Sequence, residues 1–305
     1  MLDITIVTTQ MLILFILIGC GYVCGKYQLL SHEDIPKLSK LVLNVGIPST
    51  VLSSVSNGCE LDTVTIFIYL AGFFMFNIFC AVIAMVTVTI FKIHADKRVY
   101  QFMYTFSNVG FMGLPVVNAV FGQEALIYAA LFLLPNNLML FSYGEYLMQD
   151  IKEISFKRLF NLPVIASLLA VLICAFDFQI PYIFAESLKY MGGITTPLAM
   201  IIIGASLNGI SVKAILENRN LHIFLLVKMV VLPILFWETH HVLKVPEMLS
   251  SIMVLMMAMP IPSNTIIYAS IHEKNTLLAA QASVSTNLTC VVSVPIVFLI
   301  ISVLR

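Results

Sequence analysis

Long apolar stretches follow one another along the chain and are separated by short polar connections. A helix that crosses a lipid bilayer needs about 20 consecutive, mostly apolar residues. Applied to this chain, the rule predicts ten membrane spans, which indicates an all-α polytopic membrane protein. The predicted spans are residues 4–25, 37–57, 63–91, 99–121, 124–148, 159–178, 182–208, 221–242, 247–270 and 275–303.

The composition agrees with a protein embedded in lipid. Hydrophobic residues make up 60% of the chain and charged residues only 10%, which excludes an ordinary soluble domain. The 16 basic and 16 acidic residues balance, so no basic surface indicates a nucleic-acid partner. No metal-ligand pattern surrounds the cysteines, and we expect neither a metal nor another cofactor. The first apolar run lacks a basic start, so we expect a membrane helix rather than a cleaved signal.

Basic residues of the short connections indicate the orientation, because cytoplasmic loops are enriched in Lys and Arg. With the N-terminus outside, the cytoplasmic connections hold 12 of the 16 basic residues. We therefore expect a multi-pass protein of the cytoplasmic membrane with both termini on the outer side. The 12 residues are Lys26, Lys37, Lys40, Lys92, Lys97, Arg98, Lys152, Lys157, Arg158, Lys213, Arg219 and Lys274.

Two of the predicted spans are interrupted by helix-breaking residues and amides. The first broken segment, in span four, is Ser107-Asn108-Val109-Gly110-Phe111-Met112-Gly113-Leu114-Pro115. The second, in span nine, is Met259-Pro260-Ile261-Pro262-Ser263-Asn264-Thr265. Unwound backbone at membrane depth is tolerated only where it is buried in protein or lines a cavity. Such breaks in corresponding positions of two halves are typical of a transporter's binding site.

The first broken segment has the chemistry of an anion site. Gly110 and Gly113 permit backbone conformations that other residues avoid, and Pro115 interrupts the helical hydrogen bonds. Proline also suits the start of a helix, so we expect a new half-helix from Val116 onward. Its free N–H groups and positive dipole end would point into the break.

The second broken segment repeats this arrangement. Pro260 and Pro262 interrupt the helix, and Ser263 or Asn264 would cap its restart. Two helix N-termini that converge at the membrane midplane form a site for an anion. The candidate substrate-binding residues are Asn108, Gly110, Gly113, Pro115, Asn137, Pro260, Pro262, Ser263, Asn264 and Asn287.

The order of features also indicates two related halves, residues 1–150 and 151–305. Pro48 of the second span corresponds to Pro197 of the seventh, and Asn137 corresponds to Asn287 at an offset of 150 residues. Each half has a broken fourth span. Because five spans is an odd number, the two halves must face opposite ways, which predicts an inverted repeat.

These residues resemble the auxin efflux carrier family, which includes the plant PIN-FORMED auxin exporters and bacterial malate and malonate permeases. The two broken segments are similar to that family's two crossover segments, and Asn44 to Pro48 is similar to the Asn-x-x-x-Pro of its second helix. Only about ten residues, Gln149 to Arg158, join the halves here, whereas the long plant members have a large central loop. The bacterial permease branch is therefore the closer comparison.

The resemblance implies a ten-helix fold similar to the bile-acid sodium symporters, with crossed helices four and nine. It implies a scaffold part of helices 1, 2, 6 and 7 and a transport part of helices 3–5 and 8–10. The expected activity is elevator-type transport of small organic anions, such as malate, malonate or auxin-like acids. The expected partners are that anion, the lipid bilayer, a second copy in a homodimer, and H⁺ or Na⁺ as a coupling ion.

Two ionisable residues inside predicted spans are functional candidates. Lys228 lies within span eight, where its ammonium either neutralises an anion or extends to the cytoplasmic surface, as long basic side chains commonly do. Glu145 lies near the cytoplasmic end of span five between Tyr143 and Tyr146. It either carries a coupling proton or, as in an aromatic belt, faces water.

A membrane carrier of organic anions explains these patterns best. An intramembrane enzyme is disfavoured because the spans hold no H-E-x-x-H metal pair and no nucleophile–base set. A membrane receptor that binds an anion without moving it is the alternative, and flux across a sealed vesicle separates the two.

Overall fold

In the structure, a computed structural model, all regular secondary structure of the described residues is helical. These are residues 4–31, 33–56, 58, 61–93, 96–149, 161–176, 178–208, 215–262 and 265–304. The α-helices, numbered in chain order, are α1 (Ile4–Lys26), α2 (Asp34–Leu41), α3 (Ile47–Ser54), α4 (Thr63–Ile90), α5 (Lys97–Thr105), α6 (Leu114–Phe121), α7 (Leu126–Met139), α8 (Glu145–Met148), α9 (Leu162–Ala175), α10 (Tyr182–Gly193), α11 (Thr195–Ser206), α12 (Arg219–Leu226), α13 (Leu232–Val242), α14 (Glu247–Met257), α15 (Thr265–Ile271) and α16 (Thr276–Leu304). Four π-helical turns join some of them: π1 (Val42–Gly46), π2 (Val109–Gly113), π3 (Leu140–Gly144) and π4 (Val227–Val231).

Six stretches of the described chain are long and apolar enough to cross a membrane, which confirms a multi-pass helical membrane protein. They overlap predicted spans one, three, five, seven, eight and ten. The other four predicted spans are short, as in α9, or divided, as in α2–α3, α5–α6 and α14–α15. The count of ten and the inverted repeat stay predictions. The six stretches are Thr5–Lys26, Thr63–Ile90, Gln123–Met148, Tyr182–Ser206, Arg219–Val242 and Thr276–Val303.

Three of the π turns allow a helix to continue through a proline. Pro48, Pro115 and Pro233 are each the second residue of the α-helix that follows π1, π2 or π4. A proline in a helix lacks an N–H, and its ring clashes with the carbonyl four residues earlier. In each case that carbonyl lies in the π turn, and the residue before the proline donates to the carbonyl five residues back. The wider turn therefore accommodates the ring, and the helix bulges where it would otherwise end.

Helices α1 and α11 approach each other closely at two glycines. A Cβ atom at Gly21 would overlap the backbone of Ile201, and one at Gly204 would overlap the backbone of Ile18. Small residues that let helix backbones approach are a main source of helix association in lipid. This contact joins the first and seventh predicted spans, both of which belong to the proposed scaffold part.

Aromatic side chains also connect the two halves. The ring of Phe76 in α4 lies 4.5 Å from the ring of Phe236 in α13 and 5.4 Å from that of Phe132 in α7. All three rings are buried. Edge-to-face packing of this kind adds about 0.5–1.5 kcal/mol per pair beyond the area that it buries. The cluster fixes α13, and with it π4, against the first half.

The close α1–α11 contact can be tested with two glycines of one helix. We expect Gly21→Ala to lower the free energy of unfolding by about 1–3 kcal/mol, because the methyl group meets backbone that cannot move aside. Gly19→Ala is the matched control, since nothing lies within 4 Å of a Cβ there and Ala favours a helix over Gly by about 1 kcal/mol. Thermal unfolding in detergent measures both variants. Equal melting temperatures would contradict the close contact.

Candidate functional site

The first broken segment is a short extended stretch that ends at an asparagine cap. Helix α5 ends at Thr105, and the chain is non-helical from Phe106 to Asn108. The side-chain Oδ1 of Asn108 accepts a hydrogen bond from the N–H of Phe111 at 3.3 Å. The helix therefore restarts at Val109, immediately after an Asn cap. The prediction that it restarts after Pro115 is wrong, because π2 carries the helix through that proline.

The two broken segments are joined by direct hydrogen bonds. The backbone N–H of Asn108 donates to the carbonyl oxygen of Pro260 at 2.7 Å. The hydroxyl of Ser107 donates to the carbonyl oxygen of Met257, the last residue of α14, at 3.2 Å. Each segment thus satisfies backbone groups that the other leaves free, as unwound backbone inside a membrane protein requires.

The second broken segment is also held by α16. The N–H of Ile261 donates to the hydroxyl of Thr286 at 3.4 Å. At the restart, the N–H and the hydroxyl of Thr265 both donate to the carbonyl oxygen of Pro262. The predicted caps Ser263 and Asn264 lie outside the described residues.

A cavity of about 50 Å³ lies beside the crossing of the two segments. A buried water needs about 10–15 Å³ of such space, so the cavity holds roughly four waters or a small solute. Residues of both broken segments, of π1, of α7 and π3, and of the first turns of α3 and α9 form its wall. The lining residues are Leu43, Ile47, Ser107, Asn108, Val109, Gly110, Phe111, Leu133, Asn136, Asn137, Leu140, Phe141, Pro163 and Pro262.

Several polar groups of the cavity wall have hydrogen-bonding capacity to spare. Asn136 and Asn137 are only 5% and 8% exposed, and their carboxamides have no hydrogen-bond partner within the described part of the chain. The N–H of Gly110, in the first turn after the cap, likewise has no acceptor among the residues described. Polar groups at the surface of a cavity that have no partner in the described protein are available to a ligand or to water.

Lys228 lies behind this wall with its charge directed at the first broken segment. Its side chain is 0% exposed, and its Nζ donates to the carbonyl oxygen of Tyr104 at 3.0 Å and to the hydroxyl of Ser107 at 2.9 Å. Of the two alternatives for this lysine, extension to the cytoplasmic surface is wrong. The π4 turn contains Lys228 and faces α16 and the crossing, so the side chain points inward.

Glu145 is also buried, at 1% exposure, so the interpretation that it faces water is wrong. It follows π3 at the start of α8, where the Nε2 of Gln149 lies 3.5 Å from its Oε2. It does not line the cavity.

The structure brings together only part of the predicted set. Four of the predicted residues line the cavity, namely Asn108, Gly110, Asn137 and Pro262. Gly113, Pro115 and Pro260 belong to the crossing without lining the cavity, and Asn287 lies on α16 with a buried Oδ1 that has no partner among the described residues. Two polar lining residues escaped the prediction, Ser107 and Asn136. Both are adjacent to predicted residues, which is a signal that could have identified them.

The chain belongs to the membrane transport protein family, whose model matches residues 6–155 and 148–298. A protein of Methanocaldococcus jannaschii named as an uncharacterized transporter is 23% identical over 290 residues, which cover 89% of this chain and 91% of that protein. An uncharacterized transporter of Methanothermobacter thermautotrophicus is 27% identical over 213 residues, covering 66% of this chain and 68% of that protein. The family match confirms the membrane transport family that the broken segments resemble, and the bacterial permease branch stays a prediction. The chain is therefore a multi-pass membrane transport protein.

The role of Ser107 in joining three spans can be tested by removing its hydroxyl. We expect Ser107→Ala to lower the free energy of unfolding by about 1–3 kcal/mol, because Met257 loses a donor and the buried Lys228 loses an acceptor. Ser142→Ala is the control, since that hydroxyl bonds only the carbonyl of Leu138 one turn back in its own helix. Thermal unfolding of the two variants provides the measurement. A loss for Ser142→Ala as large as that for Ser107→Ala would contradict the role assigned to Ser107.

Proposed function

We propose that this protein is a secondary carrier of small organic anions and that the anion binds in the cavity beside the crossing. The observation that carries the proposal is the environment of Lys228. Its ammonium group is fully buried and donates to two neutral oxygens, and no carboxylate of the described residues forms an ion pair with it. A buried charge without a counter-charge costs several kcal/mol. An anion in the adjacent cavity would supply that counter-charge.

Ser107 connects the lysine to the cavity. Its oxygen accepts from Lys228, and the residue itself lines the cavity wall. An anion there would meet the free N–H of Gly110, the positive end of the helix that starts at Val109, and the carboxamides of Asn136 and Asn137. These donors, with Lys228 behind them, are the groups to which we assign anion binding.

A wider polar cavity supports a route to this site. It measures about 650 Å³ and is lined by Ser53, Ser56, Gln123 and residues 179–182, 185, 186 and 189. Helix α3 links the two cavities, because Ile47 at its start lines the cavity beside the crossing and Ser53 near its end lines the wider cavity. The six residue steps from Ile47 to Ser53 rise about 9 Å along the helix axis, which is the distance between the two cavities along α3. The wider cavity lies on the predicted outer side of the membrane.

For the transport step we propose an elevator-type motion. The direct bonds between the two broken segments, and Lys228 bonded to the first of them, favour movement of these parts as one unit. The unit would comprise α4–α8 and α12–α16 and would move against α1–α3 and α9–α11. Hydrogen bonds that cross between spans four, eight and nine would be kept during such a motion.

The driving force follows from the charge of the solute. A membrane potential negative inside drives an anion outward by about 2.3 kcal/mol per charge per 100 mV. We therefore propose potential-driven efflux or exchange against another anion. Net uptake without exchange would need a co-transported H⁺ or Na⁺.

The carrier and the role of Lys228 can be tested together in proteoliposomes. We expect saturable, protein-dependent carboxylate flux, and we expect Lys228→Gln to weaken the apparent affinity about 10-fold or more, since hydrogen bonds and contacts to a charge contribute about 1.5–3 kcal/mol. Lys244→Gln is the control, because Lys244 is exposed in the turn after α13.

Two results would count against the proposal. Saturable binding without flux would favour a receptor. Unchanged anion affinity in Lys228→Gln, with a folded variant by thermal unfolding, would remove the lysine from the site.

A further inference from the structure

We infer that the cavity at the crossing takes a short monocarboxylate with an apolar body and discriminates against dicarboxylates. This inference rests on the proposed function, since it names the class of anion that the same site would hold. It narrows the range of acids that the sequence resemblance implies.

The first argument is the number of charges. Among the described residues, Lys228 and Glu145 are the buried members of the Lys, Arg, Asp and Glu types. One buried ammonium group can neutralise one carboxylate. A second carboxylate in the same cavity would have no buried cationic partner among the described residues, and burying such a charge without one is strongly unfavourable.

The second argument is the side chain that closes one side of the wall. Phe141 lines the cavity, and its ring offers a bound solute no N–H or O–H donor. A carboxylate placed against Phe141 would lose its hydration without gaining a partner, whereas an apolar group would not.

The third argument is the distribution of polar and apolar groups over the wall. The donors come from the first broken segment and from the adjacent pair Asn136 and Asn137. Most of the remaining wall is hydrocarbon from π1, α3, α7, π3 and α9, which suits an alkyl chain and leaves a second carboxylate without donors there. Its apolar side chains are Leu43, Ile47, Leu133, Leu140, Phe141 and Pro163.

The fourth argument is size. Space for about four waters fits a short acid and excludes a large ring system in this conformation. Charge, wall chemistry and volume therefore converge on a small acid with one charged end.

Matched pairs of acids test the inference. Propanoate with malonate, and butanoate with succinate, have equal carbon chain lengths and differ in whether the far end is a methyl group or a carboxylate. We would measure saturable flux of each labelled acid at pH 7.5 in proteoliposomes, with protein-free liposomes subtracting passive leakage. Thermal stabilisation of the detergent-solubilised protein by each acid provides a second readout that leakage does not affect.

We expect each monocarboxylate to act at concentrations at least about 10-fold lower than its dicarboxylate partner. Equal or better action of malonate and succinate would overturn the inference while leaving the carrier proposal intact. Flux of none of the four acids would overturn the proposed function and this inference with it.

A charge introduced into the apolar wall gives a sharper test. Phe141 is half-buried, so Phe141→Arg places a second cation at the cavity with limited disturbance of packing. We expect this variant to bind succinate better relative to butanoate by about 10-fold, whereas Phe141→Leu keeps the original preference. An unchanged ratio in a folded Phe141→Arg variant would contradict the assignment of this wall to the apolar end of the acid.

Discussion

The mutual hydrogen bonding of the two broken segments is the constraint on which the rest of the structure depends. Backbone that leaves helical geometry inside a bilayer must find partners within the protein, because lipid offers none. Here the N–H of Asn108 and the carbonyl of Pro260 satisfy each other at 2.7 Å, and Ser107 adds a bond to the end of α14. Neither break would be stable alone. Their pairing is what leaves a cavity, a capped helix start and free amides at one place.

Around this crossing, prolines and π turns determine where side chains point. Each of the π turns before Pro48, Pro115 and Pro233 widens its helix so that the chain continues past the proline. In π1 and π2 the widened turn contributes residues to the cavity wall, and π4 contains Lys228. The prolines therefore do not end these helices. Each is accompanied by a π turn whose residues line the cavity or, in π4, include Lys228.

Much of the fold could be predicted from the sequence, because spans and breaks depend on the residues of one short segment. Apolar length indicates spans, and the density of Gly, Pro and Asn indicates which spans break, so both breaks lie where the sequence predicts them. That Asn108 binds substrate stays a prediction. The restart of the helix was misplaced because Pro115 is also compatible with a π turn, which depends on hydrogen bonds five residues back. The burial of Lys228 and Glu145 could not be read from sequence. Whether a long side chain reaches water or the protein interior depends on which neighbours its helix faces.

The central claim is that the crossing, with Lys228 behind it, forms one anion site. The location of a bound acid tests this claim most directly. The measurement is an experimental structure of the protein with 3-bromopropanoate, whose bromine marks the apolar end. The account predicts the carboxylate against Ser107 and the N–H of Gly110, and the bromine beside Leu133 or Phe141. Density for the acid in the wider cavity or elsewhere, with the crossing empty at saturating concentration, would contradict it.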